Sequence, residues 1–170
     1  MKRRAQRWKK VSEGECYAVP LRDGSYGVGV IARAGKRGAL LGYFFGPRHS
    51  TIPTSGSLHT LRATDAVLCE MFGDLGIQLN EWPYVGRIEP WDRSQWPLPQ
   101  FGRIEDEARG IAWIASYDDR DVSVQTEERR CTIEEARRLP PDSTTGYGAV
   151  EIRLRMALSG EPKIEPESQS

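Results

Sequence analysis

GECYAVPLRDGSYGVGVIAR, residues 14–33, decides the fold class by its alternation. Two apolar runs flank Arg-Asp-Gly-Ser, a turn signal built on Asp-Gly, so the stretch is predicted to be an antiparallel β-hairpin. The second run carries glycine at alternate positions, Gly27 and Gly29, although glycine weakens a strand interior. Centring the hairpin on Asp-Gly pairs Leu21 with Tyr26, Val19 with Val28 and Tyr17 with Val30 on one bulky face. The opposite face pairs Pro20 with Gly27, Ala18 with Gly29 and Cys16 with Ile31, and is nearly bare. A two-residue loop would put Pro20 at a hydrogen-bonded site, where it has no N–H to donate. A four-residue loop over 22–25 keeps the pairing, turns Pro20 outward and is preferred. The bulky face then fills a core, while the bare face admits backbone or a large ring and lets the strand bend. A strongly bent hairpin at the head of a β run is how a small barrel closes.

Working outward, GALLGYFFG (38–46) is the third strand, and PRHSTIPTSGSLHTLR is a polar connection. Val67, Cys69 and Met71 alternate with Leu68, Glu70 and Phe72, which predicts a strand. Its expected partner is EWPYVGRI (81–88), with Trp82 in mid-strand and a turn-rich GDLGIQLN between them. EPWDRSQWPLPQFGR, with three prolines, is a linker or wrapping segment. A second hairpin joins GIAWIASYDD to DVSVQTEERRC, with Ile111, Trp113 and Ala115 facing Val122 and Val124. TIEEARRLP is a short helix capped by Thr132, with Glu135 completing a capping box. GYGAVEIRLRMALSG is rich in helix formers and places Val150, Leu154, Ala157 and Leu158 on one helical face.

The predicted class is therefore α+β and mostly β: a small, bent, β-barrel-like (SH3-like) N-terminal sheet with an added β-hairpin and one or two short C-terminal helices. A flexible basic arm (1–12) precedes a single globular domain (13–160). That domain has its core sheet at about 13–103 and its additional hairpin and helices at about 104–160. A disordered tail (161–170) follows.

At 170 residues the chain can bury a sizeable core without metal or disulfide support. Cys16, Cys69 and Cys131 are odd in number, widely spaced and without a CxxC, which argues against a disulfide framework or zinc knuckle. No signal-peptide pattern or membrane-length apolar run is present, so a soluble cytoplasmic protein is expected. Charges balance at 24 against 24, but residues 1–10 hold six basic groups and no acid, leaving 18 against 24 and a net of −6 on the body. The arm could reach nucleic acid phosphates, whereas the acidic body speaks against such a partner.

Catalytic signatures are missing. His49 and His59 lie ten apart with no completing ligand set, there is no GxSxG or P-loop, and GSYGVGV is not GxGxxG. No catalytic residue, metal or cofactor is expected, and the chain is not predicted to be an enzyme. What remains is surface: Trp91 and Trp96 in proline-rich chain, and an acidic series including Asp118, Asp119, Asp121, Glu127 and Glu128. Aromatic residues dominate interface hot spots, and clustered acids steer basic partners, so these seven are the candidate partner-binding residues.

The opening stretch resembles the GD-x-φ-x-IPL-x-DG-x-YG-x-GRV opening of bacterial immunity protein 26. DAVLCEMFGDLGIQLNEWPYVGRIEPWDRSQWPLPQFGR resembles that family's later W-P-x-φ-G element. The matching positions are Pro20, Gly24, Tyr26, Gly27, Gly29, Trp82 and Gly86, within residues 14–103; Val30 stands where the family often has arginine. The resemblance implies a mostly β immunity protein of a polymorphic toxin system, which binds and neutralises a cognate toxin. The alternative is a nucleic-acid-associated small β-barrel binding module.

Overall fold

The computed structural model describes residues 8–160 and the backbone of 163–164. Strands β1 (Glu15–Pro20), β2 (Tyr26–Ala34), β3 (Ala39–His49), β4 (Leu68–Gly73) and β5 (Tyr84–Arg87) form an antiparallel sheet in the order β4-β3-β2-β1-β5. Strands β6 (Phe101–Asp106), β7 (Ile111–Tyr117) and β8 (Gln125–Cys131) form a second antiparallel sheet in that order. A short β9 (Lys163–Ile164) lies parallel to the end of β3, inside the tail expected to be disordered. The helices are α1 (Leu75–Gln78), α2 (Ile133–Arg137) and α3 (Tyr147–Ala157).

The opening hairpin forms, one residue out of the predicted register. Pro20 pairs with Tyr26, Val19 with Gly27, Ala18 with Val28, Tyr17 with Gly29 and Cys16 with Val30. The Leu21 N–H donates to the Ser25 carbonyl at 2.9 Å, so the loop holds three residues, Arg22, Asp23 and Gly24. Arg22 and Gly24 take left-handed φ angles of 60° and 80°, and the Asp23 carboxylate accepts the Ser25 N–H at 2.9 Å. This aspartate-anchored turn, rather than the position of Pro20, sets the register.

A slip of one residue exchanges the faces of one strand against the other. The bulky row of β1 (Tyr17, Val19, Leu21) therefore shares a face with the glycines of β2, and the small row (Cys16, Ala18) with Val28 and Val30. A Cβ on Gly29 would stand 2.9 Å from the Phe44 ring, and one on Gly27 would stand 2.7 Å from Leu154. The bare positions are thus filled by a ring from β3 and a side chain from α3.

Both faces of the first sheet are buried. Tyr17, Val19, Leu21, Ile31, Phe44 and Phe72 pack with Ile77, Trp82, Val150, Leu154 and Leu158 on one side. Cys16, Val28, Val30, Leu41, Phe45 and Met71 pack with Leu58, Trp96, Phe101 and Val122 on the other. The sheet is a middle layer and stays open, so the barrel-like, SH3-like expectation is corrected. A sheet covered on both sides reads as a continuous apolar run, as ALLGYFF does, rather than curling round a single core.

Pairing across the sheet also differs from expectation. β4 pairs with β3 and β5 with β1, at opposite edges, so the segments 67–73 and 81–88 are not partners. The chain between them forms α1 and crosses the sheet face, carrying Trp82. That residue precedes β5 rather than sitting mid-strand, and is 2% exposed. Gly86 lies in β5 opposite Cys16.

The second hairpin is present, joined by an unpredicted β6, and α2 carries the expected Thr132–Glu135 capping box. Val122 lies in the β7–β8 loop within the core, while Val124 is exposed; neither faces Trp113, which pairs with Arg130. Helix α3 buries Val150, Leu154 and Leu158 but leaves Ala157 exposed. Of the arm expected to be flexible, residues 1–7 lie outside the described residues. Lys9 exchanges backbone hydrogen bonds of 2.7 and 2.8 Å with the Gln78 amide, and Val11 is buried.

Candidate partner-binding site

The aspartates of the β7–β8 loop are engaged within the protein. Asp119 accepts from Arg33 Nε at 2.8 Å and also pairs with Arg93, which reaches on to Glu13 at 3.1 Å. Arg33 is buried, and its guanidinium also donates to the carbonyls of Ala32 (2.6 Å) and Trp96 (2.9 Å). This chain of charges latches the second sheet to the first. The hydrogen bond from Arg33 holds the Asp119 carboxyl below the usual carboxylate range. Asp118 accepts the backbone N–H groups of Arg120 (2.7 Å) and Asp121 (3.1 Å). Asp121 accepts from the Ser123 hydroxyl at 2.6 Å and the Lys36 N–H at 3.1 Å; the serine bond leads in lowering its pKa.

The two tryptophans of the wrapping segment stack at 5.7 Å between centroids. Trp96 is only 3% exposed, edge-on to Tyr43 and Phe45, so it is a core residue and offers no ring to a partner. Trp91 is half-buried, and its indole N–H donates to Glu13 at 3.3 Å. Of the seven sequence candidates, Glu127 and Glu128 alone stand on an exposed strand, β8, where Glu128 accepts from Arg103 on β6 at 2.5 Å.

Trp113, expected to face inward, is half-buried like Trp91 and shares its sheet face with the buried Phe101 and Ala115. Trp113 lies on β7 between Arg103 of β6 and Arg130 of β8. The Arg130 guanidinium sits 5.4 Å from its ring centroid, and its indole N–H donates to Glu105 at 2.6 Å. An aromatic ring sandwiched by charge on a three-stranded sheet is a contact surface of the hot-spot type. The signal was in the partner strand: TEERR has no apolar side chain with which to cover Trp113.

Chemistry is correspondingly quiet among the described residues. Burial pushes the Cys16 and Cys69 thiols up to about 12, so neither is a thiolate near neutral pH. No group of three His, Cys, Asp or Glu among the described residues could hold a metal ion, and no helix there is long and apolar enough to cross a membrane. A cleft of about 390 Å³ between the 59–63 and 88–96 segments has Trp96 at its buried end. Its His59, Arg62, Glu89 and Asp92 are all exposed.

The family model described as Immunity protein 26 matches residues 12–110. The chain belongs to this family. No curated protein and no solved structure shows significant similarity to it. The matched segment of this Immunity protein 26 member spans the first sheet, its wrapping segment and β6, and ends in the β6–β7 turn. Trp113, Arg130, Glu127 and Glu128 all lie beyond it.

Proposed function

We propose that this chain is a stoichiometric inhibitor that binds and neutralises the effector domain of a cognate bacterial toxin in the cytoplasm, without catalysing a reaction. Membership of the Immunity protein 26 family supports this reading. The toxin docks on the second sheet, where Arg103, Glu105, Trp113, Glu128 and Arg130 share a charged and aromatic surface. The latch through Arg33 and Asp119 holds that surface rigidly on the first sheet, which limits the ordering cost of binding.

The test is co-expression with the protein encoded by the adjacent open reading frame. Growth arrest by that protein alone, rescue by this chain, and a one-to-one complex in size-exclusion light scattering are expected. A harmless neighbour, or arrest that this chain does not relieve, overturns the proposal.

Nucleic acid is the alternative partner, favoured by Trp8, 66% exposed beside Lys9 and Arg37. Single-stranded oligonucleotide binding at low salt that disappears on removing residues 1–10 would support it.

A further inference from the structure

We propose that the outer edge of β8 receives an extended segment of the toxin, which adds to the second sheet as a fourth strand. This assignment rests on the toxin-binding function above. β8 pairs only with β7, six of its seven residues are exposed, and its backbone makes no other hydrogen bond among the described residues. The opposite edge of the same sheet is bridged at Gly102, whose N–H donates to Pro140 at 2.8 Å and whose carbonyl accepts the Asp142 N–H at 2.9 Å. The β4 edge of the first sheet is bridged in the same way by Thr145 beside Phe72, and β5 has only four residues. β8 is thus a long sheet edge without any such bridge among the described residues, a row of donors and acceptors able to template another strand.

The charges on β8 say what kind of strand fits. Glu128 and Arg130 project on the Trp113 face, and Glu127 and Arg129 on the other. A second copy of the chain fits less well. Antiparallel pairing of two β8 strands about a two-fold axis keeps each side chain on its own face, so the residue on the axis meets its own copy. In registers centred on Glu128 or Arg129, one like-charge pair sits on the axis between two Glu–Arg pairs, and in those centred on Glu127 or Arg130 the like pair has no such compensation. A foreign antiparallel strand carrying two acidic residues followed by two basic ones meets no such conflict. Its acids face Arg130 and Arg129, and its bases face Glu128 and Glu127. Backbone hydrogen bonds would supply affinity, while the charges set direction and register.

The test is hydrogen exchange of residues 125–131 in the intact chain, with and without an inactivated C-terminal domain of the protein encoded by the adjacent open reading frame. Free β8 should exchange quickly at its outward amides, and the complex should slow them at least tenfold. Successive residues of an edge strand send their N–H alternately inward and outward. Of Glu127→Pro and Glu128→Pro, one therefore removes an inward bond and destabilises the fold. The other should keep the melting temperature and weaken binding at least tenfold. The charge exchange Glu127→Lys with Arg129→Glu, which leaves the backbone intact, should weaken binding tenfold at low salt. A complex that forms with exchange at 125–131 unchanged overturns the β8 assignment and leaves toxin binding standing. No complex and no growth rescue overturn both.

Discussion

The Glu151 carboxylate on α3 accepts the indole N–H of Trp82 at 3.0 Å and the Nε of Arg22 at 2.7 Å. It thereby ties the C-terminal helix to the opening hairpin loop and to the turn before β5. Glu151 is nearly buried, so its removal leaves the indole N–H without an acceptor and a cation without its counter-charge. Glu151→Leu should cost about 1–3 kcal/mol of stability, and Glu151→Gln less, because the amide oxygen still accepts the indole. Urea unfolding followed by tryptophan fluorescence measures both; equal losses would show that the charge, and not the acceptor, matters.

The ring of Phe44 occupies the space over Gly29, which predicts overpacking on any side chain there. Gly29→Ala should lose roughly 1–3 kcal/mol. Combining it with Phe44→Leu should give less destabilisation than the sum of the two single changes, since both act on one space. Strict additivity in thermal unfolding would place the strain elsewhere.

Acid should loosen the hairpin turn and the inter-sheet latch together. Burial raises the Asp23 pKa, but hydrogen bonds from Ser25 and Arg48 outweigh it and bring it from 3.8 to about 2; Asp119 is lowered by Arg33. A carboxyl lowered in the folded state contributes stability that is complete above its unfolded pKa and is lost as pH falls through the folded one. Stability should thus be flat above about pH 5 and fall between about pH 4 and 2. The Asp23 share should be about 1 kcal/mol after allowing for solvent screening. Asp23→Asn should flatten the slope; a slope unchanged in both Asp23→Asn and Asp119→Asn would assign acid lability to other carboxyls.

Trp96 and Trp113 should separate folding from binding. Trp96→Ala removes a core ring and should cost about 3–5 kcal/mol of stability. Trp113→Ala, at a half-buried position of the second sheet, should cost less stability than Trp96→Ala and weaken toxin binding by about 2 kcal/mol or more, measured by calorimetry as a change of about thirtyfold. A binding loss confined to a Trp91 variant would move the contact surface to the wrapping segment.

Local patterns were legible in the residues themselves. Alternation in residues 14–33 specified a hairpin, helix-forming composition specified α3, and Thr132 with Glu135 specified the start of α2, because each depends on neighbours a few positions away. The immunity-family resemblance was likewise carried by short motifs around Pro20, Tyr26 and Trp82. The candidate site was less legible. Asp119 read as a free surface acid because its partners Arg33 and Arg93 are 86 and 26 positions distant. Trp96 read as a contact residue because proline-rich chain gives no sign of which sheet it wraps.

By itself, the sequence determined that this is a mostly β chain with two C-terminal helices, the first capped by Thr132, and a turn at Asp23-Gly24. Tertiary structure decided the hairpin register, the separation of β4 from β5, the burial of Trp96, and where the sheet edges are bridged. These are settled by packing between distant segments: Phe44 and Leu154 over the glycines, and Pro140 and Thr145 along two of the edges. Side-chain volume and backbone hydrogen bonding between remote residues leave no local trace for periodicity to report.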